Sequence, residues 1–103
     1  MQQAKQAPSP EPEKDVAILA LVRGRVQGVG FRYEARSFAR ALGICGWITN
    51  LPDGGVETYA EGPLSAITRF REWLSHGPPG ARVSSVDVSE RSPKNELSSF
   101  IIE

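Results

Sequence analysis

Two kinds of apolar pattern alternate along this 103-residue sequence, and their order limits the folds that it can adopt. Val16–Val22 is an uncharged apolar run, which is typical of a strand that is covered on both faces or central in a sheet. The loop Arg23–Gly30 follows this run. Apolar residues then recur at helical spacing and predict an amphipathic helix, on the positions Phe31, Ala35, Phe38, Ala39 and Leu42. Gly43 can end that helix.

The second half of the sequence contains a similar series of elements. Cys45–Asn50 and Val56–Ala60 are predicted to form a hairpin, because the turn Pro52-Asp53-Gly54 combines a preset φ with a glycine. We further predict a second helix that opens at Gly62-Pro63, with Leu64, Ile67, Phe70 and Leu74 on one stripe, and strands over Arg82–Ser89 and Ser98–Glu103.

This order of elements is that of an α+β, ferredoxin-like βαββαβ sandwich. We therefore expect a mostly antiparallel sheet of four to five strands with two helices on one face. A strand–helix–strand connection of this length joins parallel strands, so the first two strands should end at the same edge of the sheet. The loop Gly24–Gly30 and Asn50 are thus predicted to be neighbours in space.

Composition narrows the environment and the partners of the chain. Lys plus Arg and Asp plus Glu number 12 each, so no overall positive field attracts polyanions, and neither a nucleic-acid partner nor a membrane partner is expected. The one cysteine cannot form an intramolecular disulfide, and the spacing of zinc motifs is absent. No apolar stretch approaches the roughly 18 residues of a membrane span, and residues 1–15 lack an apolar signal segment. We expect a cytoplasmic monomer.

The proline-containing segment 1–14 lacks strand-favouring aliphatic and aromatic residues, as its sequence shows. Such a segment buries too little apolar surface to fold alone, so we expect a flexible tail there and a folded domain at 15–103.

The loop before the first predicted helix combines three features that favour an anion. Gly28 and Gly30 can adopt left-handed conformations, a helix N-terminus follows them, and Arg32 lies in the first turn of that helix. Converging backbone N–H groups and the helix dipole attract phosphate or carboxylate, and an arginine can bind two oxygens at once. The alternative is that the glycines permit only a tight turn and that Arg32 is a solvated helix residue.

Other phosphate-handling motifs do not fit. A Walker loop needs Gly-Lys-Ser/Thr where this chain has Gly30-Phe31-Arg32, and a dinucleotide fingerprint needs a glycine where Tyr33 stands. A cysteine phosphatase requires an arginine six residues after its nucleophilic cysteine, and no arginine stands there after Cys45. Cys45 is therefore interpreted as a small strand residue.

Two longer motifs resemble the signatures of the acylphosphatase family. The first is Gly-x-Val-Gln-Gly-Val-x-Phe-Arg, at Gly24–Arg32, and the second is Gly46-Trp47-Ile48-Thr49-Asn50 with Gly54, Val56 and Gly62 after it. Ile48 and Thr49 depart from the usual second signature, but strand alternation turns Thr49 away from Asn50. The resemblance spans Val16 to Glu103, so the domain at 15–103 is expected to be acylphosphatase-like.

The resemblance implies hydrolysis of small-molecule acylphosphates to a carboxylate and inorganic phosphate, without a metal or cofactor. It also implies roles for individual residues. Arg32 would clamp the phosphoryl oxygens, and the Asn50 amide would orient the attacking water. Backbone amides would cradle the phosphoryl group, at Gln27, Gly28, Val29, Gly30 and Phe31.

Two other functions stay open from the sequence. The first is a non-catalytic phosphate- or RNA-binding ferredoxin-like module, since Gly30-Phe31-Arg32-Tyr33 vaguely resembles an RNA-recognition signature. That signature belongs on the third strand, however, and here it opens a helix. The second is a regulatory or carbamoyl-phosphate-processing module.

Structural roles are predicted for the remaining distinctive side chains. His76 is predicted to contact helix carbonyls. Packing in the core or on the sheet is predicted for the aromatic residues Trp47, Tyr59, Phe70 and Trp73.

Overall fold

The computed structural model describes residues 13–103, which form a five-stranded sheet with two helices packed on it. The elements in chain order are β1 (Asp15–Arg25), α1 (Phe31–Ala41), β2 (Cys45–Asn50), β3 (Val56–Pro63), α2 (Leu64–Leu74), β4 (Arg82–Arg91) and β5 (Phe100–Ile102). The predicted α+β, ferredoxin-like fold is confirmed. Except for residues 13 and 14, the segment predicted to be a flexible tail lies outside the described residues.

The strand order β4-β1-β3-β2-β5 places β3 between β1 and β2, and it is antiparallel to both. Consequently β1 and β2 are parallel to each other and end at the same edge of the sheet, as predicted. Among strands that are hydrogen-bonded neighbours in the described sheet, only β2 and β5 are parallel. Of the two options for β1, the structure shows an interior strand between β4 and β3 rather than one covered on both faces.

Alternate residues along the strands point to a core between the sheet and the helices. Ile18, Ala20 and Val22 of β1 are at most 4% exposed, whereas Leu19 and Leu21 on the opposite face are half-buried. The helices contribute large buried side chains to this core, among them Phe31, Ile67, Phe70 and Leu74. Phe70 meets Phe100 of β5 edge to face, with 5.6 Å between ring centroids.

Several predicted details were wrong. β4 continues past Ser89 to Arg91, and β5 covers only Phe100–Ile102 of the predicted strand. β1 does not end at Val22 but continues to Arg25, because it stays paired with β4 across a register shift at Arg23/Gly24. β3 continues past Ala60 to Pro63. Leu64 is 54% exposed rather than part of the buried stripe of α2, where Ala66 is buried instead. As the first residue of α2, Leu64 is held by its backbone, whose N–H donates to the Lys14 carbonyl at 3.2 Å.

Both helices have well-defined ends. At the end of α1, Gly43 adopts a φ of 73° while its N–H bonds the Arg40 carbonyl and the Ile44 N–H bonds the Ala39 carbonyl, a Schellman motif. The predicted stop at Gly43 is therefore confirmed. At the start of α2, the Glu13 carboxylate accepts hydrogen bonds from the Ser65 N–H and Oγ, both at 2.8 Å. Neither of these 11-residue helices has the length to cross a bilayer.

The connection from β4 to β5, residues 92–99, must cross the sheet, because these two strands form its opposite edges. We call this connection the strap. It passes over the face without helices, where the carboxylate of Glu61 accepts hydrogen bonds from the N–H groups of Lys94 and Asn95, each at 3.0 Å. Tyr59 donates its hydroxyl to the same carboxylate at 2.6 Å. Glu61 is 6% exposed, so it is a buried anchor for the strap.

The charge state of this anchor depends on two opposing effects. Burial raises the pKa of the Glu61 carboxyl, but hydrogen bonds from Tyr59, Lys94 and Asn95 outweigh burial and hold the pKa below its usual value of 4.5. Burial and the bond to Glu61 raise the pKa of Tyr59 to about 12, so its hydroxyl keeps its proton. The ionised form of Glu61 thus holds the strap at neutral pH.

We expect Glu61→Gln to lower the free energy of unfolding by about 1–3 kcal/mol, because an amide cannot accept all three of these bonds. Since the folded pKa is depressed, the contribution of Glu61 is present above pH 4.5 and is lost as the pH falls through the folded pKa. Urea unfolding between pH 3 and pH 7 should therefore show the largest difference between the variant and wild type at neutral pH. Glu57→Gln, on the same face of β3, is the matched control and should change stability by under about 0.5 kcal/mol.

Candidate active site

A concavity of about 140 Å³ lies at the sheet edge where β1 and β2 end. It is bounded by the β1–α1 loop, the first turn of α1 and the end of β2, through Val26, Gln27, Gly28, Gly30, Phe31, Arg32, Tyr33 and Asn50. Every predicted site residue except Val29 is in this lining. Val29 is half-buried and packs against the core. The predicted proximity of the glycine loop to Asn50 is thus present in the fold.

A larger concavity, of about 390 Å³, lies elsewhere, between the start of β1, α2 and the end of β4. It contains none of the predicted site residues. A phosphoryl group is small, and it needs several convergent polar groups more than it needs volume. The smaller concavity meets that requirement. One of its walls is the β1–α1 loop and another is the N-terminus of α1, and both can direct backbone N–H groups toward an anion.

The loop owes its shape to two glycines. Gly28 has a φ of 75° and Gly30 a φ of 81°, both in the left-handed region that L side chains rarely adopt. A Cβ at either position would meet no atom within 4 Å, so backbone conformation and not space requires glycine here. Left-handed residues in such a loop turn successive N–H groups toward a common centre. Gly30 is also the N-cap of α1, and no side chain caps that helix end.

Buried side chains hold the loop on both sides. Val26 and Phe31 are each 1% exposed, and the Phe31 ring packs on Trp73 with 5.2 Å between centroids. The flexible-looking glycine sequence is therefore anchored in the core at its beginning and its end. This rigidity allows the backbone N–H groups to be preorganised for a ligand.

Arg32 is half-buried in the first turn of α1 and lines the concavity. A cation there is opposed by the positive end of the helix dipole, at a cost of roughly 0.3–1 kcal/mol. Within residues 13–103 an ion pair joins Arg23 to Asp53 at 2.6 Å, but no carboxylate of these residues forms an ion pair with Arg32. A bound anion would offset the unfavourable position of Arg32.

Asn50, at the end of β2, contributes an unusual polar atom. Its Oδ1 is buried and accepts no hydrogen bond from any residue between 13 and 103. An unpaired buried acceptor costs about 1–3 kcal/mol, so it is uncommon outside functional sites. The backbone of Asn50 is held by the sheet, opposite Val56 of β3.

The side chain of Gln27 has contacts that sequence reasoning missed, since only its backbone amide was assigned a role. Its Nε2 donates to the carbonyls of Leu51 and Gly55, each at 2.8 Å. These carbonyls belong to the β2–β3 turn, which is closed by a bond from the Leu51 N–H to the Gly55 carbonyl at 2.8 Å. A single amide therefore joins the glycine loop to the turn that follows Asn50.

The same turn is stabilised on its outer side by Asp53. Its Oδ1 accepts the Gly55 N–H at 3.0 Å, and its Oδ2 pairs with Arg23. The hydrogen bond from Gly55 and that from Arg23 hold the pKa of Asp53 below its usual range. The predicted turn at Pro52-Asp53-Gly54 is present.

The reactive side chains of the chain lie outside the concavity. Cys45 begins β2, at the opposite end of the strand from Asn50, and His76 contacts Ser75 and the Glu72 carbonyl at the end of α2. No carboxylate, thiol or imidazole is in the lining, and residues 13–103 contain no group of three side chains suited to a metal ion. The arrangement can bind and polarise an anion and can position a small molecule beside it.

Two lining residues were not predicted. Val26 is the buried apolar residue within a polar, glycine-containing segment, which is a signal that it anchors the loop. Tyr33 is 61% exposed at the rim, and the Arg36 guanidinium lies 5.3 Å from its ring centroid. The sequence shows a tyrosine directly after Arg32, but no contact was predicted for it.

Comparisons with known proteins identify close relatives. The family model described as Acylphosphatase matches residues 18–102. An acylphosphatase of Acaryochloris marina is 49% identical over 77 residues, which are 75% of this chain and 83% of the relative. The crystal structure of an acylphosphatase from Bacillus subtilis superposes with a TM-score of 0.82 at 38% identity, covering 85% of this chain and 98% of that one. An acylphosphatase structure from Coxiella burnetii gives a TM-score of 0.82 at 39% identity, covering 86% and 93%.

We expect Gly30→Ala to reduce stability by about 1–2 kcal/mol through its left-handed φ and also to weaken binding of inorganic phosphate. Gly43→Ala is the matched control, because its φ of 73° imposes a similar strain at the other end of α1. Thermal unfolding should shift similarly in both variants, while titration with phosphate followed by NMR should change only in Gly30→Ala. Equal phosphate affinity in the two variants would contradict a cradle at Gly30.

Proposed function

The chain belongs to the acylphosphatase family, and we propose that the concavity at the β1–β2 edge is where it hydrolyses its substrate. As an acylphosphatase it cleaves the carboxyl–phosphate bond of small acylphosphates and releases a carboxylate and inorganic phosphate. The observation that supports this location is that residues of two separate signatures, Gly28, Gly30, Phe31 and Arg32 of the first and Asn50 of the second, line one concavity of a size suited to a phosphoryl group.

The chemistry of the substrate explains how so few functional groups can suffice. The leaving carboxylate has a conjugate acid with a pKa of about 4, so it departs without being protonated. A phosphate monoester would expel a much more basic alkoxide and would need an acid, a metal or a covalent nucleophile. The lining offers no acidic side chain, thiol or imidazole, which suits an acylphosphate better than a monoester.

We propose that backbone amides and Arg32 together hold the phosphoryl group. The N–H groups of residues 27–31 would bind its oxygens, and the uncapped N-terminus of α1 would add its dipole. Arg32 would bind two oxygens with its planar guanidinium, which a lysine could not do in the same way. These dipoles would stabilise the charge that spreads over the phosphoryl oxygens as the bond to the carboxylate breaks.

Asn50 would orient the attacking water. An amide carbonyl accepts a hydrogen bond from water but cannot keep a proton, so Asn50 is not a general base. Its buried and unpaired Oδ1 is the acceptor available for this role, and rotation of the amide would present it to the concavity. The water oxygen attacks phosphorus, the bond to the acyl oxygen breaks, and the proton passes to a phosphoryl oxygen of the substrate.

We also propose that the enzyme works as a cytoplasmic monomer without a nucleic-acid partner. Its formal charge is balanced, so no overall positive field attracts a nucleic acid. The free, half-buried Cys45 suits a reducing compartment. Against an RNA-binding module, Phe31 is 1% exposed and lies at the start of a helix, where it cannot stack on a base. The family match likewise supports the enzyme and not the non-catalytic alternative.

The purified protein should hydrolyse benzoyl phosphate and retain this activity in excess EDTA, because the proposed mechanism uses only amides, Arg32 and Asn50. An alkyl monoester such as glycerol 3-phosphate should be hydrolysed far more slowly, since its basic alkoxide leaving group needs protonation. Release of inorganic phosphate from the two compounds, with and without chelator, provides the measurement. Loss of benzoyl phosphate turnover in EDTA would rule out the metal-independent mechanism.

Asn50→Ala should lower kcat by about 10²- to 10³-fold while inorganic phosphate still inhibits, because the water loses its positioning group and the cradle remains. Arg32→Ala should lower activity and also weaken phosphate inhibition. Matched controls are Thr49→Val, which changes the neighbouring side chain on the opposite face of β2, and Arg69→Ala, which removes an exposed arginine of α2. If Asn50→Ala turned over within a few fold of wild type, its proposed role would be wrong.

A further inference from the structure

We propose that the side chain of Gln27 is a positioning residue that fixes Asn50 relative to the phosphate cradle. This inference rests on the proposed role of Asn50 and extends it to a group that does not itself touch the reacting atoms. The backbone of Gln27 belongs to the cradle, while its side chain reaches the turn behind Asn50. One residue thus connects the two halves of the site.

The first argument is that the sheet cannot make this connection. β1 pairs with β3 only as far as Val22 opposite Val56, and beyond that point β1 is paired with β4 alone, across the register shift at Arg23/Gly24. The cradle begins several residues later. The pairing that aligns β1 with the hairpin therefore ends before the site begins, and another contact must keep the loop and the hairpin in register.

The second argument is the position of the two carbonyls that Gln27 binds. Leu51 follows Asn50 directly, and Gly55 precedes Val56, the residue paired with Asn50 across the sheet. The two N–H groups of one amide, at 2.8 Å from each carbonyl, thus hold both strands of the hairpin next to the rung that carries Asn50. A carboxylate at this position would donate no hydrogen bond, and an asparagine would be one methylene shorter.

A second link between β1 and the turn exists but is weaker. Arg23 and Asp53 form an ion pair whose side chains are 43% and 54% exposed. Exposed pairs contribute little and are screened by salt. Gln27 is half-buried, and its bonds to carbonyls do not depend on ionic strength. It is therefore the Gln27 amide that keeps the hairpin at a fixed distance from the loop.

Small displacements of a positioned group have large kinetic effects, because a shift of about 1 Å can cost on the order of 10²-fold in rate. Loss of the Gln27 amide should let the turn move while the cradle, which consists of backbone anchored by Val26 and Phe31, stays in place. The expected signature is a lower kcat with an unchanged inhibition constant for inorganic phosphate. A general structural defect would alter both.

The test is a double-mutant cycle with Gln27→Leu, Asn50→Ala and the combined variant, using benzoyl phosphate turnover and competition by inorganic phosphate. Gln27→Leu alone should lower kcat by about 10- to 100-fold and change the phosphate inhibition constant by less than about twofold. In the Asn50→Ala background the same substitution should lower kcat by less than about twofold, because there is no longer a side chain to position. Gln27→Met, which is uncharged and close to glutamine in length but cannot donate, should behave like Gln27→Leu.

Arg23→Gln is the matched control for the weaker link and should change kcat by less than about twofold. Equal losses from Gln27→Leu with and without Asn50 would overturn the inference and show that Gln27 acts independently of Asn50. Unchanged kcat in Gln27→Leu and Gln27→Met, or a parallel loss of phosphate inhibition, would overturn it as well. If Asn50→Ala itself kept wild-type kcat, the proposed function of Asn50 would fail first, and this inference with it.

Discussion

The pairing of β3 with β1 on one side and β2 on the other is the interaction on which the candidate site depends. Val56 is the central residue of that arrangement, because it is paired with Val22 across one ladder and with Asn50 across the other. It is fully buried, so both ladders end on a fixed point in the core. The carboxyl ends of two strands that are distant in sequence are thereby held side by side, and a loop that leaves β1 faces a side chain at the end of β2.

The site at this edge relies on dipoles more than on net charge. The chain as a whole has a formal net charge of zero, yet a doubly charged phosphoryl group can be bound where several N–H groups and one guanidinium converge. Backbone amides contribute nothing to a count of charged residues, and they need no side-chain entropy to be ordered. Because the glycine conformations and the buried Val26 and Phe31 set their directions, the cost of arranging them is met during folding and not during the reaction.

The sequence predicted much of this arrangement because hydrophobic period, glycine position and element order are local signals. The helix at Phe31–Ala41 and the strand at Cys45–Asn50 follow from such signals, and the proximity of Asn50 to the loop follows from topology. Contacts that join distant segments could not be predicted in the same way. The length of β1 depends on its pairing with β4, the exposure of Leu64 depends on how α2 lies on the sheet, and neither Glu61 nor Gln27 reveals in its neighbours which N–H or carbonyl groups it will meet.

The crossing of the strap has a consequence for the order in which the chain can be completed. Phe100 is fully buried against Phe70, and β5 covers the outer edge of β2, the strand that carries Asn50. The residues that close this edge are also the last to be synthesised within the described domain. During translation, therefore, β2 has a free edge and the core lacks one aromatic ring until residue 100 has left the ribosome, so the site can reach its final rigidity only after synthesis of the domain is nearly finished.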